Sequence, residues 1–500
     1  MNIAMLLEMV ADAAGDRVAI GSLDGSGVTY PELLTRSRAV ADLLVAREAQ
    51  RLILVDVNSV AVPVGLFGAA LAGRPFVPVN YRLADDQLRA ILERAAPGVA
   101  VVEPSVPSRL GAAVPGLELL GPGDLLGAAP TEGGDLGFTD PDDIAVLLFT
   151  SGTTGEPKAA VLRHRHLTGY VLGNVEFLGS EPTDAALVSV PPYHIAGIAA
   201  VLSSVFSGRR IVYLPQFDPA VWVQTARDEA ITHAMVVPTM LGRILDVLEA
   251  EGGTLPALRH VSYGGGRMPV SLVERAMDRL SQVGFVNAYG LTETSSTVAV
   301  LTPDDHREAH ASGDPAVRAR LGSVGRPLPT IELEIRGPAG DPVPVGEGGE
   351  VWVRGEQVSG EYLGRRPSLT DDGWFPTNDG GRLDEAGFLY VEGRLDDVIV
   401  RGGENLSPAE IEDVLLDHDA VAEAAVVGAP DDEWGESPVA FVVLAEGASA
   451  TERELQDWVE ARLRSARRPV RIHLRTELPY NETGKLLRRV LKSELASAPR

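Results

Sequence analysis

The sequence predicts an α/β protein of at least two domains, because 500 residues are too many for one compact core. Apolar strand-like runs alternate with helix-length segments along most of the chain, which favours parallel sheets covered by helices. Around residues 331–355 the pattern changes to short alternating strands with Gly and Pro turns, typical of a small antiparallel barrel or sheet. A last unit of about 100 residues begins near Asp396 and reads as a compact α+β domain.

Two strand–helix–strand units support the parallel sheets. Residues 51–80 contain an apolar run, a helix-length segment, Gly73 and a second apolar run. Strands are predicted again at 185–190 and 210–213, with a helix near 196–206 between them. Such units join neighbouring parallel strands of one sheet.

The last unit predicts helices and strands in a mixed order. We expect helices at 407–416 and 451–464 and strands at 421–428 and 439–444. The first helix opens at Ser407-Pro408, where Glu410 stands in position to support the first turn.

The composition is that of a soluble globular protein, with 45% apolar and 23% charged residues. No run of eighteen apolar residues occurs, and the first residues read as a helix without a basic leader, so we expect neither a membrane span nor a signal peptide. The absence of cysteine excludes disulfides, thiolate nucleophiles and cysteine-bound metals. A cytoplasmic location fits these observations.

The net charge of −26 argues against a protein that coats nucleic acid or a membrane surface. The charge is uneven, because residues 461–500 contain 11 Lys and Arg against 3 Glu. This segment is either a solvated helical face or a basic surface that meets a polyanion.

The segment LLFTSGTTGEPKAAVL, residues 147–162, concentrates hydroxyls and glycines before one lysine. It differs from the common phosphate-binding loop, because Pro157 precedes Lys158 and Ala159 occupies the place of a magnesium-binding hydroxyl. Its glycines still allow backbone N–H groups to turn toward an anion, and its hydroxyls and lysine add donors. The segment predicts a site for a nucleoside triphosphate, with an ordinary surface loop as the alternative.

Four further segments are typical of surface turns when each is taken singly: NAYGLTETSS (287–296), GWFPTNDGG (373–381), GRLDDVIVRGGENLSPAEIE (393–412) and LPYNETGKLLRR (478–489). Together with residues 147–162, in this order and spacing, they resemble the adenylate-forming superfamily of acyl- and aryl-CoA ligases, adenylation domains and luciferases. The resemblance covers nearly the whole chain.

The resemblance implies a large N-terminal domain, residues 1–394, of stacked, helix-covered and mainly parallel sheets with a small antiparallel barrel-like subdomain. It implies a small mobile α+β domain, residues 395–500, that rotates about a hinge near Asp396. It further implies an ATP-dependent carboxylic acid–CoA ligase that uses ATP, Mg²⁺ and coenzyme A. Such an enzyme forms an acyl-adenylate with release of pyrophosphate, and then an acyl-CoA thioester and AMP.

The resemblance also assigns residues to the nucleotide. It places the β- and γ-phosphates at Thr150, Ser151, Gly152, Thr153, Thr154, Gly155 and Lys158. Adenine packs against Tyr289, Thr292 touches the α-phosphate and Glu293 helps to hold Mg²⁺. Asp379 accepts the ribose hydroxyls with support from Arg394. The remaining residues of the adenine and acyl pocket are Gly264, Gly265, Gly266, Asn287, Ala288 and Gly290.

Two half-reactions need different groups in the resembling family. Lys485 bridges the carboxylate and the α-phosphate, since two anions that approach each other require positive charge. Rotation of the small domain withdraws Lys485 and brings Gly402, Gly403 and Glu404 to the site, where Gly403 leaves room for the pantetheine arm. The basic C-terminal segment then carries Lys485 and meets the phosphates of coenzyme A.

The sequence identifies the carboxylic acid substrate less closely than it identifies the nucleotide. PPYHIAG, residues 191–197, matches the acyl-pocket segment, in which His194 borders the substrate carboxylate or is a packed wall residue. The segment has no aspartate, and Asn80 also resembles the CoA ligases, so an amino-acid substrate is not expected. Fatty, aromatic, alicyclic and terpenoid acids stay open.

Three residues depart from the family pattern. Ala159 and Asn378 replace glycines, and both changes should be tolerable. Arg267 stands where small residues or proline are common, and it either shapes the pocket or faces solvent. HREAH, residues 306–310, is not a metal-binding HExxH motif, and its neighbours favour a loop.

Other functions compete with the CoA ligase. A stand-alone adenylating enzyme that loads a separate acyl carrier protein is the nearest alternative. A monooxygenase of the luciferase kind and a catalytically inactive nucleotide-binding homologue are less favoured. No nucleic-acid partner is expected.

Overall fold

The structure is a computed structural model of the chain and describes residues 1–22, 24, 26–129, 139–150, 158–431, 433–480 and 486–497. Within these residues the strands form two large, mainly parallel sheets, one antiparallel sheet and one further sheet near the C-terminus.

The strands of the described residues are given in chain order. The first are β1 (Val18–Ile20), β2 (Val28–Thr29), β3 (Leu52–Val55), β4 (Phe76–Pro78), β5 (Gly98–Val102), β6 (Leu117–Leu120), β7 (Ile144–Thr150), β8 (Lys158–Arg163), β9 (Ala185–Val188), β10 (Arg210–Tyr213), β11 (His233–Val236) and β12 (His260–Gly264). The others are β13 (Gly284–Leu291), β14 (Ser296–Leu301), β15 (Arg326–Pro327), β16 (Glu332–Arg336), β17 (Gly349–Arg354), β18 (Phe375–Leu383), β19 (Leu389–Arg394), β20 (Ile399–Arg401), β21 (Glu404–Leu406), β22 (Val421–Asp431), β23 (Gly435–Leu444) and β24 (Arg471–Arg475).

The helices of the same residues connect and cover these strands. They are α1 (Ile3–Ala14), α2 (Tyr30–Ala46), α3 (Ala61–Leu71), α4 (Asp85–Ala95), α5 (Val106–Leu110), α6 (Pro122–Leu126), α7 (His164–Asn174), α8 (Ile195–Phe206), α9 (Pro219–Asp228), α10 (Pro238–Glu251), α11 (Val270–Arg279), α12 (Pro303–Ala311), α13 (Pro315–Arg318), α14 (Pro408–Leu416), α15 (Glu452–Glu460) and α16 (Arg488–Ser497).

The two large sheets contain the predicted strand–helix–strand units. One sheet runs β6-β5-β3-β4-β7-β8, and its strands are parallel except for the last pair. The other runs β15-β14-β13-β12-β11-β9-β10-β1-β2 and is parallel from β13 to β1. The units β3-α3-β4 and β9-α8-β10 each join neighbouring parallel strands. Both predictions are therefore confirmed.

An apolar core joins the two large sheets. It connects Leu52 and Leu148 of the first sheet to Val188 and Ile211 of the second, with residues of α1, α2, α3 and α8 in the same cluster. Almost every residue of α3 is buried, as expected for a helix that is apolar on all sides. The stacked, helix-covered sheets expected of the large domain are confirmed.

The remaining sheets correspond to the two other predicted units. Strands β16-β17-β18-β19 form an antiparallel sheet over the segment where the sequence pattern changes. Strands β21-β20-β23-β22, with β24 beside β23, form the sheet of the small α+β unit. This unit has its own core, which includes Ile399, Ile411, Val426, Val442 and Val459. The exact boundary between residues 394 and 395 stays a prediction.

Local predictions differ from the structure at three places. The predicted helix at 451–464 ends at Glu460, where the N–H groups of Arg462 and Leu463 both turn back to the Val459 carbonyl. The HREAH segment is not a loop but lies in α12. That helix begins after Thr302, whose hydroxyl accepts from the Asp305 N–H, and Pro303 suits its first position.

The third difference concerns α14, which begins at Pro408 as predicted. The Ser407 hydroxyl does not cap the helix but donates to the Glu392 carbonyl at 2.9 Å. Glu410 pairs with Arg467 instead of returning to the first turn. None of the helices in the described ranges combines the length and the apolar character that a membrane crossing needs.

Candidate active site

A β-bulge sets the direction of the residues at the end of β13. The register between β13 and β14 shifts between Tyr289 and Gly290, and a Cβ on Gly290 would lie 1.8 Å from the Ser296 carbonyl oxygen. Only glycine fits there, and such bulges commonly redirect side chains at functional sites. A single 3₁₀ turn, Thr292–Thr294, follows, and Ser295 and Ser296 have positive φ angles of 54° and 117°. Strained backbone of this kind is enriched at binding sites.

Tyr289, Asp379 and Arg394 form a cluster that we call the ribose cluster. The Tyr289 hydroxyl donates to Asp379 Oδ2 at 2.6 Å, and Arg394 Nη1 donates to Asp379 Oδ1 at 3.0 Å. Asp379 and Arg394 are register partners on β18 and β19, which explains their proximity. A carboxylate oxygen has two acceptor sites, so each oxygen of Asp379 keeps capacity for a ligand hydroxyl.

Burial sets the protonation of Tyr289. It raises the pKa of the phenol well above 10, and the neighbouring charge of Asp379 raises it further. The phenol therefore stays an O–H donor at neutral pH. The Asp379 side chain is only 7% exposed, which leaves it little freedom to leave the cluster.

A second cluster surrounds Glu293. The Tyr362 hydroxyl donates to Glu293 Oε1, and Lys158 Nζ lies 5.7 Å from the centroid of the Tyr362 ring. The Glu293 carbonyl accepts from the N–H groups of Ser359 and Gly360 at 2.8 and 3.2 Å. Burial raises the pKa of Tyr362, and the charge of Glu293 raises it further, so this phenol also stays a donor.

Sequence reasoning missed Tyr362. The signal that could have found it is an aromatic residue in the polar, glycine-containing turn GEYLGRR. In the structure its ring and hydroxyl connect the lysine and the glutamate that the sequence assigned to the phosphates and the metal.

The carboxylate of Glu293 suits a magnesium ion that binds together with a nucleotide. No group of three or more His, Cys, Asp or Glu residues in the described parts of the chain could by itself hold a metal. Mg²⁺ typically takes one or two carboxylates together with substrate phosphates and water, so the single carboxylate of Glu293 fits that ion. When bound, the ion would neutralise negative charge on the phosphates.

The phosphate loop lies only partly within the described residues. Thr150 and Lys158 are register partners at the ends of the antiparallel pair β7 and β8, and the Thr150 hydroxyl donates to the Lys158 carbonyl at 3.4 Å. Ser151, Gly152, Thr153, Thr154 and Gly155 lie outside the described residues. Lys485 also lies outside them, and their assignments stay predictions.

A strip without side chains runs beside β13. A Cβ on Gly264 would lie 2.3 Å from the Ala288 carbonyl oxygen, so the close contact of β12 with β13 requires glycine. Gly265 and Gly266 follow it and are exposed. The side-chain amide of Asn287 donates to the Ser323 carbonyl at 3.0 Å, and this hydrogen bond restrains the side chain. These three glycines therefore leave the backbone beside β13 without side chains.

The predicted acyl segment lies at the start of α8, with His194 immediately before the helix. A cavity of about 30 Å³ adjoins this segment, with room for one or two waters rather than for an acid. Its lining includes Pro191, Pro192 and Tyr193, but not His194. The role of His194 at the substrate carboxylate stays a prediction.

The predicted thioester-forming turn lies on the small unit between β20 and β21. Gly402, Gly403 and Glu404 are exposed, and Glu404 pairs with Arg467 at 2.9 Å. Gly403 has a φ of 84°, which favours glycine, and a Cβ on it would contact nothing within 4 Å. In the structure this turn is open to solvent, and its place in the second half-reaction stays a prediction.

The departures from the family pattern have structural explanations. Ala159 packs as a buried strand residue. Asn378 has a left-handed φ of 60°, which asparagine tolerates better than most residues. Arg267 forms an ion pair with Asp413 on α14. That the first two are tolerable stays a prediction, and Arg267 contacts the small unit.

Comparisons with known proteins show the family of the chain. Residues 7–363 match the AMP-binding enzyme family, and residues 410–485 match the AMP-binding enzyme C-terminal domain. A feruloyl-CoA synthase from an Amycolatopsis species is 34% identical over 471 residues, which cover 93% of each chain. A 2-succinylbenzoate–CoA ligase from Bacillus cereus is 37% identical over 355 residues, which cover 70% of each chain.

A solved relative has the same fold throughout. The o-succinylbenzoate CoA synthetase of Bacillus subtilis, in complex with its acyl-adenylate intermediate, gives a TM-score of 0.84 at 30% identity over 99% of this chain and 98% of that one. The same enzyme in complex with ATP and magnesium ion also gives 0.84 at 30% identity, over 97% and 99% of the two chains.

Proposed function

The chain belongs to the AMP-binding enzyme family, and we propose that it is an ATP-dependent ligase that joins an aromatic carboxylic acid to coenzyme A. In the first half-reaction the carboxylate attacks the α-phosphorus of ATP, the bond to pyrophosphate breaks and an acyl-adenylate forms. In the second, the thiol of coenzyme A attacks the acyl carbon, the bond to AMP breaks and the thiol proton is released.

One observation carries the nucleotide part of this proposal. Tyr289 of the ribose cluster and Glu293 of the second cluster lie four residues apart on one bulged, strained segment. A buried carboxylate with spare acceptor sites suits two ribose hydroxyls, and a carboxylate beside a lysine suits Mg²⁺ and phosphates. The two clusters therefore offer partners to opposite ends of the same ATP molecule.

Different residues of the chain would bind different parts of ATP. Asp379 would hold the ribose, while Lys158 and Glu293 would bind the leaving pyrophosphate and its Mg²⁺. Thr292 would contact the α-phosphate. Lys485 would neutralise the approach of the two anions, and removal of one such donor commonly costs about 10²–10³ in rate.

The substrate class rests on the relatives and on the glycine strip. The acids in the two relatives' names, ferulic acid and 2-succinylbenzoate, both carry a benzene ring. Gly265 and Gly266 are exposed and carry no side chains, so a flat ring can approach their backbone. An aromatic acid accounts for both observations.

The proposal also assigns coenzyme A as the thiol that accepts the acyl group. A separate acyl carrier protein presents the same pantetheine thiol as coenzyme A and is therefore the alternative acceptor. A cytoplasmic location, where ATP and coenzyme A are both available, stays a prediction.

A hydroxylamine-trapping assay tests the substrate. Wild-type protein, ATP and Mg²⁺ are incubated with cinnamic-type, benzoic, alicyclic and medium- and long-chain fatty acids, and hydroxamates are measured. We expect aromatic acids to give the highest kcat/KM. Higher values for fatty acids would refute the aromatic class, and the absence of any hydroxamate would refute the adenylating function.

The best acid is then offered with coenzyme A or with a pantetheinylated carrier protein. The expected products with coenzyme A are one thioester, one AMP and one pyrophosphate per ATP consumed. Thioester on the carrier alone would overturn the assignment of coenzyme A.

A further inference from the structure

Two departures from the family pattern meet the small domain at separate points. Arg267 follows the glycine strip, and Asn378 directly precedes the ribose-binding candidate Asp379. Arg267 reaches Asp413, and Asn378 reaches Asp396. Two of the three departures thus have an aspartate partner in the small domain.

The first contact is an ion pair between the domains. Arg267 Nη2 donates to Asp413 Oδ2, across 146 positions of sequence. Asp413 lies on α14 of the small domain, within the helix that follows the Gly402–Glu404 turn. The two side chains are 44% and 48% exposed, so water can replace either partner when the pair separates.

The second contact is made at the predicted hinge. The Asn378 amide donates to Asp396 Oδ2 at 2.8 Å, and the left-handed backbone at Asn378 directs this contact. Asp396 lies in the 3₁₀ turn Leu395–Asp397 that links β19 to β20. Lys492 of α16 approaches the Asp396 carbonyl and Asp397 Oδ1, each at 3.5 Å. The hinge is thereby tied to both domains.

We propose that Arg267 and Asn378 form a latch that holds the small domain in the observed pose. This latch, the pairs Arg267–Asp413 and Asn378–Asp396, favours the pose in which these two contacts are formed and the Gly402–Glu404 turn is exposed. It slows the rotation of the small domain between the two half-reactions. The inference rests on the proposed two-step function, and both residues act as positioning residues that touch no substrate.

The exposure of the latch fits a reversible contact. Exposed ion pairs and hydrogen bonds are weak and are screened by salt, so they bias an equilibrium without locking it. Loss of one latch contact should change the balance between poses about two- to fivefold. Larger changes would be expected only of buried contacts.

The variants follow from the geometry. Asp413→Asn and Arg267→Gln remove the ion pair with little change of shape. Asn378→Gly removes the hinge contact, and glycine adopts the same φ without strain. The double variant Arg267→Asp with Asp413→Arg reverses the pair. Arg275→Gln is the control, since it breaks a pair with Glu249 and Asp246 inside the large domain.

The first measurement needs no catalysis. The chain contains no cysteine, so cysteines placed at the exposed positions Val221 and Val470 take a fluorophore pair selectively. Single-molecule energy transfer in the nucleotide-free protein should show one dominant distance in the wild type and in Arg275→Gln. We expect a second population to grow in Asp413→Asn, Arg267→Gln and Asn378→Gly. Distances equal to wild type in all three would overturn the latch.

The second measurement separates the half-reactions. Single-turnover adenylation is measured without coenzyme A, and thioester formation is measured from preformed acyl-adenylate. The ratio of the second rate to the first should change by about two- to fivefold, in the same direction, in the three variants. The reversed pair should restore the wild-type ratio.

Two results of the second measurement would overturn the proposal. An unchanged ratio despite altered distances would show that the latch does not act on the reaction, and a reversed pair that behaves like the single variants would exclude the ion pair as the cause. If the wild type adenylates no acid, the proposed function fails, while the label distances still test the latch.

Discussion

The ribose cluster and the latch use the same kinds of side chain but differ in exposure. The ribose cluster combines an arginine, a carboxylate and a phenol, and the latch combines an arginine, two carboxylates and an amide. Asp379 of the ribose cluster is 7% exposed, whereas Asp413 of the latch is 48% exposed. A hydrogen bond to a buried charge is expensive to lose, whereas an exposed pair exchanges with water at little cost. We therefore expect the ribose cluster to be rigid and the latch to open and close.

The largest expected effect comes from Asp379→Asn. The substitution removes the charged acceptor of the ribose hydroxyls, and hydrogen bonds to charged groups contribute roughly 1.5–3 kcal/mol each. ATP binding, measured by isothermal titration calorimetry, should weaken by about 10- to 100-fold.

Glu332→Gln is the matched control for Asp379→Asn. Glu332 is an exposed carboxylate in the same antiparallel sheet and pairs with Arg354. It should leave ATP binding unchanged. Equal affinity of the Asp379→Asn variant and the wild type, with both folded by circular dichroism, would place the ribose elsewhere.

Tyr362→Phe should have an intermediate effect. It removes the hydroxyl that donates to Glu293 but keeps the ring beside Lys158. Partners of a metal-binding carboxylate commonly change metal affinity by about tenfold. The Mg²⁺ concentration for half-maximal pyrophosphate exchange should rise by that amount, while Tyr390→Phe on β19 should not change it. An unaltered Mg²⁺ requirement would separate Glu293 from the metal.

The smallest expected effect concerns stability and comes from His306, a buried residue of the large domain. The Tyr263 hydroxyl donates to His306 Nε2 at 2.7 Å, behind the glycine strip, and His306 Nδ1 donates to the Thr302 carbonyl at 2.8 Å. Burial lowers the pKa of His306 to about 4. Between pH 6.5 and 4 the unfolded chain therefore binds a proton that the folded chain does not, and stability falls as the pH falls.

Urea unfolding at pH 7.5 and pH 5 measures this contribution. His306→Gln should lose roughly 1–2 kcal/mol less than the wild type over that change, because it lacks the titrating group. His310→Gln, on the same helix but partly exposed, serves as the control. A wild-type pH slope in His306→Gln would contradict the assignment.

Local patterns predicted much of the fold, and a family resemblance supplied the residues of the candidate nucleotide site. The unit β3-α3-β4 was readable because apolar runs of strand length flank a segment of helix length. Asp379 and Glu293 were identified through segments that resemble a known family. The α12 helix was not predicted, because Asp, Gly and Ser near HREAH suggested a loop, although Thr302 and Pro303 form a helix start.

Contacts between distant segments were not predicted. Tyr362 reaches Glu293 across 69 positions, and Arg267 reaches Asp413 across 146. Periodicity and spacing describe neighbours along the chain, whereas these pairs depend on how sheets and domains pack. The loop residues 151–155 and Lys485 lie outside the described residues, and their roles stay predictions.

The Lys485→Ala variant tests the central claim most directly, since the two half-reactions are assigned to different groups. Both are measured in one folded preparation: pyrophosphate exchange with acid and ATP, and thioester formation from preformed acyl-adenylate with coenzyme A. We predict that exchange falls to background while thioester formation largely persists. Equal loss of both, or exchange at the wild-type rate, would contradict the account.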